Sequence, residues 1–279
     1  MRGAAKWQAS CGVEGVPPTI CQPLLPEGLN EIRERVVEAT KLALFLDFDG
    51  TLTRIVDDPA EAYLDAPTRE VLEALAEGDE ILVTIISGRS APDLRMRVGL
   101  DKVVYAGNHG LEISGPGLEF TEPRAAASRE SLGRLSAALV RKLEGMAGVS
   151  VENKGLSVSI HYRLASPETV RDALRVVSEQ VARDFSALRL TSGKRVLNIL
   201  PDTEWNKGSA VRWITQRAPG GPRLPLYLGD DRTDEDAFRH LRDGITIHVG
   251  DPPGETSAQY YVAGPAKVAA FLRWLEWNR

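Results

Sequence analysis

The sequence predicts an α/β protein, a doubly wound parallel sheet interrupted by an inserted α+β domain. Three observations predict it. Short apolar runs recur at 42–46, 81–86 and 224–228, broken only by Thr84, as expected of strands buried on both faces of a parallel sheet. Stretches of helical spacing separate those runs, the alternation of a doubly wound sheet. Between about 112 and 201 that rhythm stops, and period-2 alternation around Gly-containing turns takes its place, the mark of antiparallel hairpins.

Taken in order, Ile32, Val36 and Ala39 recur at helical spacing ahead of the first apolar run. A loop to Pro67 leads to a helix begun by Thr68, with Val71, Leu72 and Leu75 on one face, and then to the second run. A helix from about Ser90 and a strand at 102–106 follow; 224–228, a helix at about 234–242 and a strand at 245–249 resume the pattern later. In the insertion, a turn at 114–117 precedes a helix at about 124–143. The segment VSVENKGLSVSIHYR (149–163) reads as a hairpin turning at Asn153-Lys154-Gly155, with Leu156, Val158, Ile160 and Tyr162 on one face and Ser157, Ser159, His161 and Arg163 on the other. Next comes a helix carrying Val170, Leu174, Val177, Val181 and Phe185, then a second hairpin, 188–200, turning at Ser192-Gly193-Lys194. The expected division is a poorly structured leader at 1–30, a core at 31–111 and 202–279, and an inserted domain at 112–201.

The 279 residues are 43% hydrophobic and 26% charged with a formal charge of −5, an ordinary globular composition. No basic block stands out, which argues against nucleic acid or a membrane surface as the main partner. No 18-residue apolar run marks a membrane span, and residues 1–30 lack the apolar centre of a signal peptide, so a cytoplasmic protein is expected. Cys11 and Cys21 sit in a Pro/Gly-punctuated stretch and suggest no disulfide framework.

The chemistry sits where apolar runs end. LFLDFDGTL (44–52) places Asp47 and Asp49 just beyond the first run, where open α/β sheets bind ligands. Two acids this close repel unless a cation or a shared proton intervenes, and Mg²⁺ is the natural hard partner. LGDDRTDEDAF (228–238) repeats the device. Asp234 to Asp236 read equally well as the negative first turn of a helix, whereas Asp230 directly follows the strand. The run 81–86 ends in Ser87-Gly88-Arg89 just before a helix, an arrangement suited to phosphate. Asn206-Lys207-Gly208 opens another helix with an ammonium group.

In this order, DFDGTL, ISGR, NKG and GDDRTDEDAF resemble the four motifs of the haloacid dehalogenase superfamily of aspartate-nucleophile phosphatases. More narrowly, AGNHGLE (106–112), VENKGLSVSIHYR (151–163), GKRVLNILP (193–201), WNKG and GDDRTDEDAF resemble trehalose-6-phosphate phosphatases. The resemblance implies a Rossmann-like core with a C2-type cap domain, and a phosphoric monoester hydrolase using Mg²⁺. It implies Asp47 as nucleophile, Asp49 as general acid and base, Ser87 and Lys207 on the phosphoryl group, and metal held by Asp47, the Asp49 carbonyl and Asp230. Asp231 and Asp234 are expected to help bind the metal through water or to position Lys207.

For substrate, the resemblance points to Gly88 and Arg89 beside the phosphate and to Glu152, Asn153 and Lys154 at the hairpin tip, with Asn108, His109 and Glu204 as further contacts. The face bearing Ser157, His161 and Arg163 either lines the cleft or is the solvated side of a two-layer cap. Trp205, beside Lys207, is a candidate cleft wall, and Trp213, Trp274 and Trp277 read as packing. The expected partner is a disaccharide phosphate, trehalose 6-phosphate, with a trehalose-phosphate synthase as a possible docking partner. Other glycosyl phosphates, and a non-catalytic sugar-phosphate sensor, are the competing readings.

Overall fold

A computed structural model describes residues 21–193, 195–252 and 254–278. Most of the expected leader, with Cys11, therefore lies outside the described residues, as does Lys194 of the second hairpin turn. In chain order the elements are β1 (Gln22–Pro23), α1 (Pro26–Glu38), β2 (Leu42–Leu46), α2 (Ala66–Leu75), β3 (Ile81–Ile86), α3 (Ala91–Val98), β4 (Val104–Gly107), β5 (Glu112–Gly115) and β6 (Leu118–Thr121). Then come α4 (Pro123–Ala127), α5 (Arg129–Lys142), β7 (Ser150–Asn153), β8 (Val158–His161), α6 (Pro167–Asp184), β9 (Leu188–Gly193) and β10 (Val196–Pro201). The chain closes with α7 (Lys207–Arg217), β11 (Leu224–Gly229), α8 (Glu235–His240), β12 (Ile245–Val249), β13 (Tyr260–Val262) and α9 (Pro265–Trp277).

The larger sheet has nine strands in the order β1-β13-β12-β11-β2-β3-β4-β5-β6. It is parallel from β1 to β4 and antiparallel at β5 and β6. Every residue of β2 is buried, and its side chains sort by parity. Leu42, Leu44 and Leu46 join the core with Ile32, Leu72 and Leu272, while Ala43 and Phe45 join the opposite core with Val211, Ile214 and Phe238. A strand with two apolar faces therefore has helices on both sides. Because β2 lies between β3 and β11, the ends of three neighbouring strands open into one crevice, the switch point of the sheet.

Two expectations shift at the edges. Residues 112–121, expected in the insertion, continue the core sheet instead, β5 pairing with β4 and β6 with β5. Gly115 permits this, because a Cβ there would lie 2.7 Å from the Val104 Cα. Residues 22–30, expected in the leader, form β1 and the first turn of α1, with β1 paired to β13. The helix expected at 124–143 is two, α4 and α5, divided at Ser128. The helix expected to begin at Thr68 starts earlier, since Asp65 accepts from the Thr68 N–H as N-cap at 2.7 Å.

The smaller sheet is antiparallel, β7-β8-β10-β9. Leu132, Leu135 and Leu139 of α5 and Val177 and Val181 of α6 pack against Val158, Ile160, Leu197 and Ile199 on one face. The other face is polar yet closed: Ser157 and Ser159 are 1% and 0% exposed, and Ser159 Oγ donates to Asn198 Oδ1 at 2.6 Å. It is turned toward the larger sheet, so the solvated alternative for Ser157, His161 and Arg163 does not hold.

Leu44 is fully buried between β3 and β11 and Leu164 is 73% exposed. Chemical denaturation should show Leu44→Ala destabilised by about 2–5 kcal/mol, with Leu164→Ala within about 0.5 kcal/mol of the parent.

Candidate active site

Asp47, Ser87 and Asp230 follow β2, β3 and β11 immediately, and all three are buried. The turn Asp49-Gly50 carries the chain across this point. Gly50 has φ +93°, and a Cβ there would overlap the Asp230 carboxylate, so the backbone approaches only because the residue is glycine.

Lys207 opens α7, whose N-cap Asn206 accepts from the Ser209 N–H at 3.0 Å. Its Nζ is buried and donates to Asp47 Oδ1 and Asp234 Oδ1, both at 2.7 Å. Asp234 accepts three hydrogen bonds: Oδ1 also accepts from the Tyr227 hydroxyl at 2.6 Å, and Oδ2 from the Asp231 N–H at 2.9 Å. Of its two expected roles, the geometry keeps the positioning of Lys207. Burial pulls the Lys207 ammonium down, but Asp234 and Asp47 outweigh it and hold the group charged, above its ordinary value. For Asp47, burial pushes the carboxyl up; Lys207 opposes this, while Asp234 and Asp230 add to it.

Oxygens of Asp47, Asp230 and Asp234 lie within 4.8 Å of one another. One ammonium faces three buried carboxylates, so the pocket holds more negative charge than it neutralises. An all-oxygen donor set with excess negative charge fits a hard divalent cation; of the three carboxylates, Asp234 is the one most engaged by protein groups, through Lys207, Tyr227 and the Asp231 N–H.

Ser87 Oγ lines the cleft and accepts from the Arg89 N–H at 3.2 Å. Arg89 lines it too, but its fork is engaged: Nε and Nη2 donate to the two oxygens of Asp49 at 2.7 and 2.8 Å, Nη1 to Asp93 at 3.0 Å, and Nη2 also to the Pro59 carbonyl at 2.9 Å. Arg89, expected as a substrate contact, is here the brace of Asp49.

The hairpin tip reaches the core. Lys154 Nζ donates to the Gly88 carbonyl at 3.1 Å and lies 3.6 Å from Glu152 Oε2, which is also bonded to His161 Nε2 at 2.7 Å. Burial works against Glu152 ionising, yet His161 and Lys154 prevail and hold its pKa at about 2. Asn108, expected as a sugar contact, is fully buried as a clip between layers. It donates to Glu112 Oε1 at 2.7 Å and to the Lys154 carbonyl at 3.3 Å, and accepts from Ser157 Oγ at 2.5 Å. Two further expected contacts miss the cleft: Asn153 Oδ1 closes its own turn by accepting from the Gly155 N–H at 2.9 Å, and Glu204 is exposed and lines neither cavity.

His109 lies in the cleft wall over Gly88, in the left-handed region at φ +60° and ψ +30°, its N–H bonded to the Ser87 carbonyl at 2.8 Å. Burial, then the charges of Lys207, Lys154 and Arg189, holds its pKa down at about 3. Asp231 lines the cleft, and its Oδ1 accepts from the Arg232 N–H. Arg195 and Asn198 line it as well and were not expected. Asn198 was foreshadowed by the alternation of 196–200, whereas Arg195, in the left-handed region at φ +64°, gave no such signal. Trp205 lies behind this cleft, with Nε1 donating to the Gly110 carbonyl at 2.7 Å.

A doubly wound core with catalytic-type acids at the ends of adjacent strands, beneath an inserted four-stranded cap, defines a haloacid dehalogenase-type hydrolase fold. The chain belongs to the trehalose-phosphatase family, whose model matches residues 45–265. A trehalose-phosphate phosphatase of Mycobacterium marinum is 39% identical over 256 residues, covering 88% of this chain and 65% of its own. The probable trehalose-phosphate phosphatase 4 of rice is 35% identical, covering 91% and 72%. The chain thus spans 65% of the length of its mycobacterial relative. Among solved structures, the C-terminal domain of C. albicans trehalose-6-phosphate phosphatase superposes with a TM-score of 0.76, covering 91% of this chain and 98% of that one, and at 24% identity it speaks to the fold. A trehalose-6-phosphate phosphatase related protein gives 0.74 at 29% identity, covering 84% and 97%. No helix among the described residues is long and apolar enough to cross a membrane.

His109 yields a pH test. The unfolded chain takes up a proton near pH 6.5 while the folded chain stays neutral down to about 3, so this residue makes stability fall as pH drops through that window. Asn tolerates a left-handed backbone. The stability of the parent relative to His109→Asn should therefore decline between pH 6.5 and 3, by at most about 1.4 kcal/mol per pH unit; parallel curves in denaturant titrations would contradict the assignment.

Proposed function

We propose that this chain is a Mg²⁺-dependent phosphatase hydrolysing trehalose 6-phosphate to trehalose and phosphate through an aspartyl-phosphate. The observation that carries the reading is the convergence of Asp47, Ser87, Lys207 and Asp230 on one point of a cleft whose opposite wall is the polar face of the cap. Family membership narrows the substrate class.

Asp47 would attack phosphorus through Oδ2, the oxygen not bonded to Lys207, dividing the displacement into two easier steps. Lys207 keeps its charge beside the nucleophile and screens the approaching anion. Ser87 Oγ would donate to a phosphoryl oxygen, because as an acceptor it is already served by the Arg89 N–H. Asp49 would carry the proton to the leaving sugar oxygen and take one from the attacking water, giving up a bond to Arg89 to do so. Asp47, Asp230 and the Asp49 carbonyl would hold Mg²⁺, whose contribution when bound is charge neutralisation and orientation of the phosphate.

Sugar hydroxyls would meet Glu152, Lys154, His161, Arg163, Arg195 and Asn198 on the cap side. Such a wall discriminates strongly, since each buried polar group left without its hydroxyl partner is costly. Lys154 would link the two halves, because the same ammonium that faces the sugar bonds the Gly88 carbonyl in the phosphate loop.

Phosphate release measured in parallel from trehalose 6-phosphate, sucrose 6-phosphate, glucose 6-phosphate and glucosyl-3-phosphoglycerate should strongly favour the first and vanish with EDTA. Asp47→Asn should lower turnover by about 10³-fold or more. Equal rates across the panel would remove the substrate assignment, and near-parental activity of Asp47→Asn would remove the nucleophile.

A further inference from the structure

His109 and Lys207 also line a second cavity, of about 60 Å³, which Asp49 does not line. At roughly 10–15 Å³ per water, it has room for about four waters or one tetrahedral oxyanion. The cap supplies Arg189 and Thr191 from β9; the core supplies Thr203 and Trp205. We propose that this cavity is a second oxyanion site, held by Arg189, and that its ligand is inorganic phosphate, the product of the proposed reaction.

The cavity is lined by a guanidinium without a counter-ion among the described residues. Arg189 Nη1 donates to Thr191 Oγ1 at 3.0 Å, while Nε is buried with no hydrogen-bond partner. Among the described residues Arg189 forms no ion pair. The acid lining the cavity, Asp236, is paired with Arg239 at 2.5 Å, and the other cation in the wall, Lys207, is neutralised by Asp47 and Asp234. Arg189, which lines this cavity, therefore brings to it a cation without an ion-pair partner among the described residues and one buried donor, Nε, without an acceptor, and a partly buried charge of this kind is costly unless an anion joins it. A guanidinium fork matches the edge of a phosphate, and the Thr191 and Thr203 hydroxyls can donate or accept alongside.

The position gives the site a use. His109 and Lys207 form a wall common to both cavities, so phosphate released from Asp47 has a neighbouring site that does not obstruct the sugar side of the cleft. His109 presents no positive charge to hold the ion between them, because burial and the charges of Lys207, Lys154 and Arg189 keep it neutral above a pH of about 3.

Calorimetric titration of the whole chain with inorganic phosphate tests this without any turnover. The parent should take up two phosphates. Arg189→Met should lose one, its affinity falling by about tenfold or more as a charge-assisted contact disappears, and Ser87→Ala should retain the Arg189-dependent one. Should Arg189→Met lose its native circular dichroism spectrum, Arg189→Lys decides: several-fold weaker binding at the second site supports the proposal, and unchanged binding overturns it. Two phosphates bound as tightly by Arg189→Met as by the parent overturn it, as does a single phosphate that survives Arg189→Met but not Ser87→Ala. A single phosphate lost in Arg189→Met and kept in Ser87→Ala supports this site and counts against the catalytic reading instead.

Discussion

The ammonium of Lys207 sits between two buried carboxylates, and the arrangement of the core follows from keeping it there. Asp47 comes from the end of β2, Asp234 from the loop after β11, and Lys207 from the start of α7. These three segments are far apart in the chain and meet only because β11 pairs with β2 in parallel register and α7 packs on the shared face. A charge buried this completely is tolerable only with its partners in place. Removing one leaves an uncompensated ion at a cost of about 3–5 kcal/mol. Tyr227 and the Asp231 N–H fix Asp234 from behind, so the lysine has little freedom to leave Asp47. Rigidity and excess negative charge come from the same groups, and both would suit the proposed reaction, in which the site holds a cation and meets a phosphate dianion without reorganising.

The cap is joined to the core by a small apolar cluster of Leu111, Ala125, Leu156 and Leu200 with Trp205, and to this centre by polar contacts. Asn108, Ser157, Lys154 and the Gly88 carbonyl make a chain of hydrogen bonds from the hairpin to the loop after β3. Apolar packing could slide without strong penalty, but buried donors and acceptors must stay matched. Their matching fixes where the cap's polar face stands over Asp47. His109 serves the same junction through its backbone, in a left-handed conformation that places its ring over Gly88.

Much of this was legible in the sequence, for identifiable reasons. The central core strands are short and almost wholly apolar, a signal that survives without any tertiary information, and Asp47 and Asp230 stand directly after two of them. What escaped depended on contacts distant in the chain. Residues 112–121 look like the start of an insertion because their pairing to β4 rests on the absence of a side chain at Gly115, and no periodicity reveals that. Arg89 reads as a phosphate ligand beside Ser87, yet the proximity of Asp49 claims its fork. Asn108 reads as a contact because it is polar at a junction; its burial follows from the approach of Ser157, 49 residues away. The polar alternation of 157–163 was visible, but which way that face turned depended on packing of the whole cap.

In the proposed reaction Asp47 is the group that receives the phosphoryl from substrate. The most direct test is a rapid acid quench of the chain with trehalose 6-phosphate labelled in the phosphate, followed by borohydride reduction and peptide mapping. The account predicts label on the protein before reduction and homoserine at position 47 after it. Phosphate formed at the normal rate, with no labelled protein at any quench time and position 47 unmodified, would contradict it.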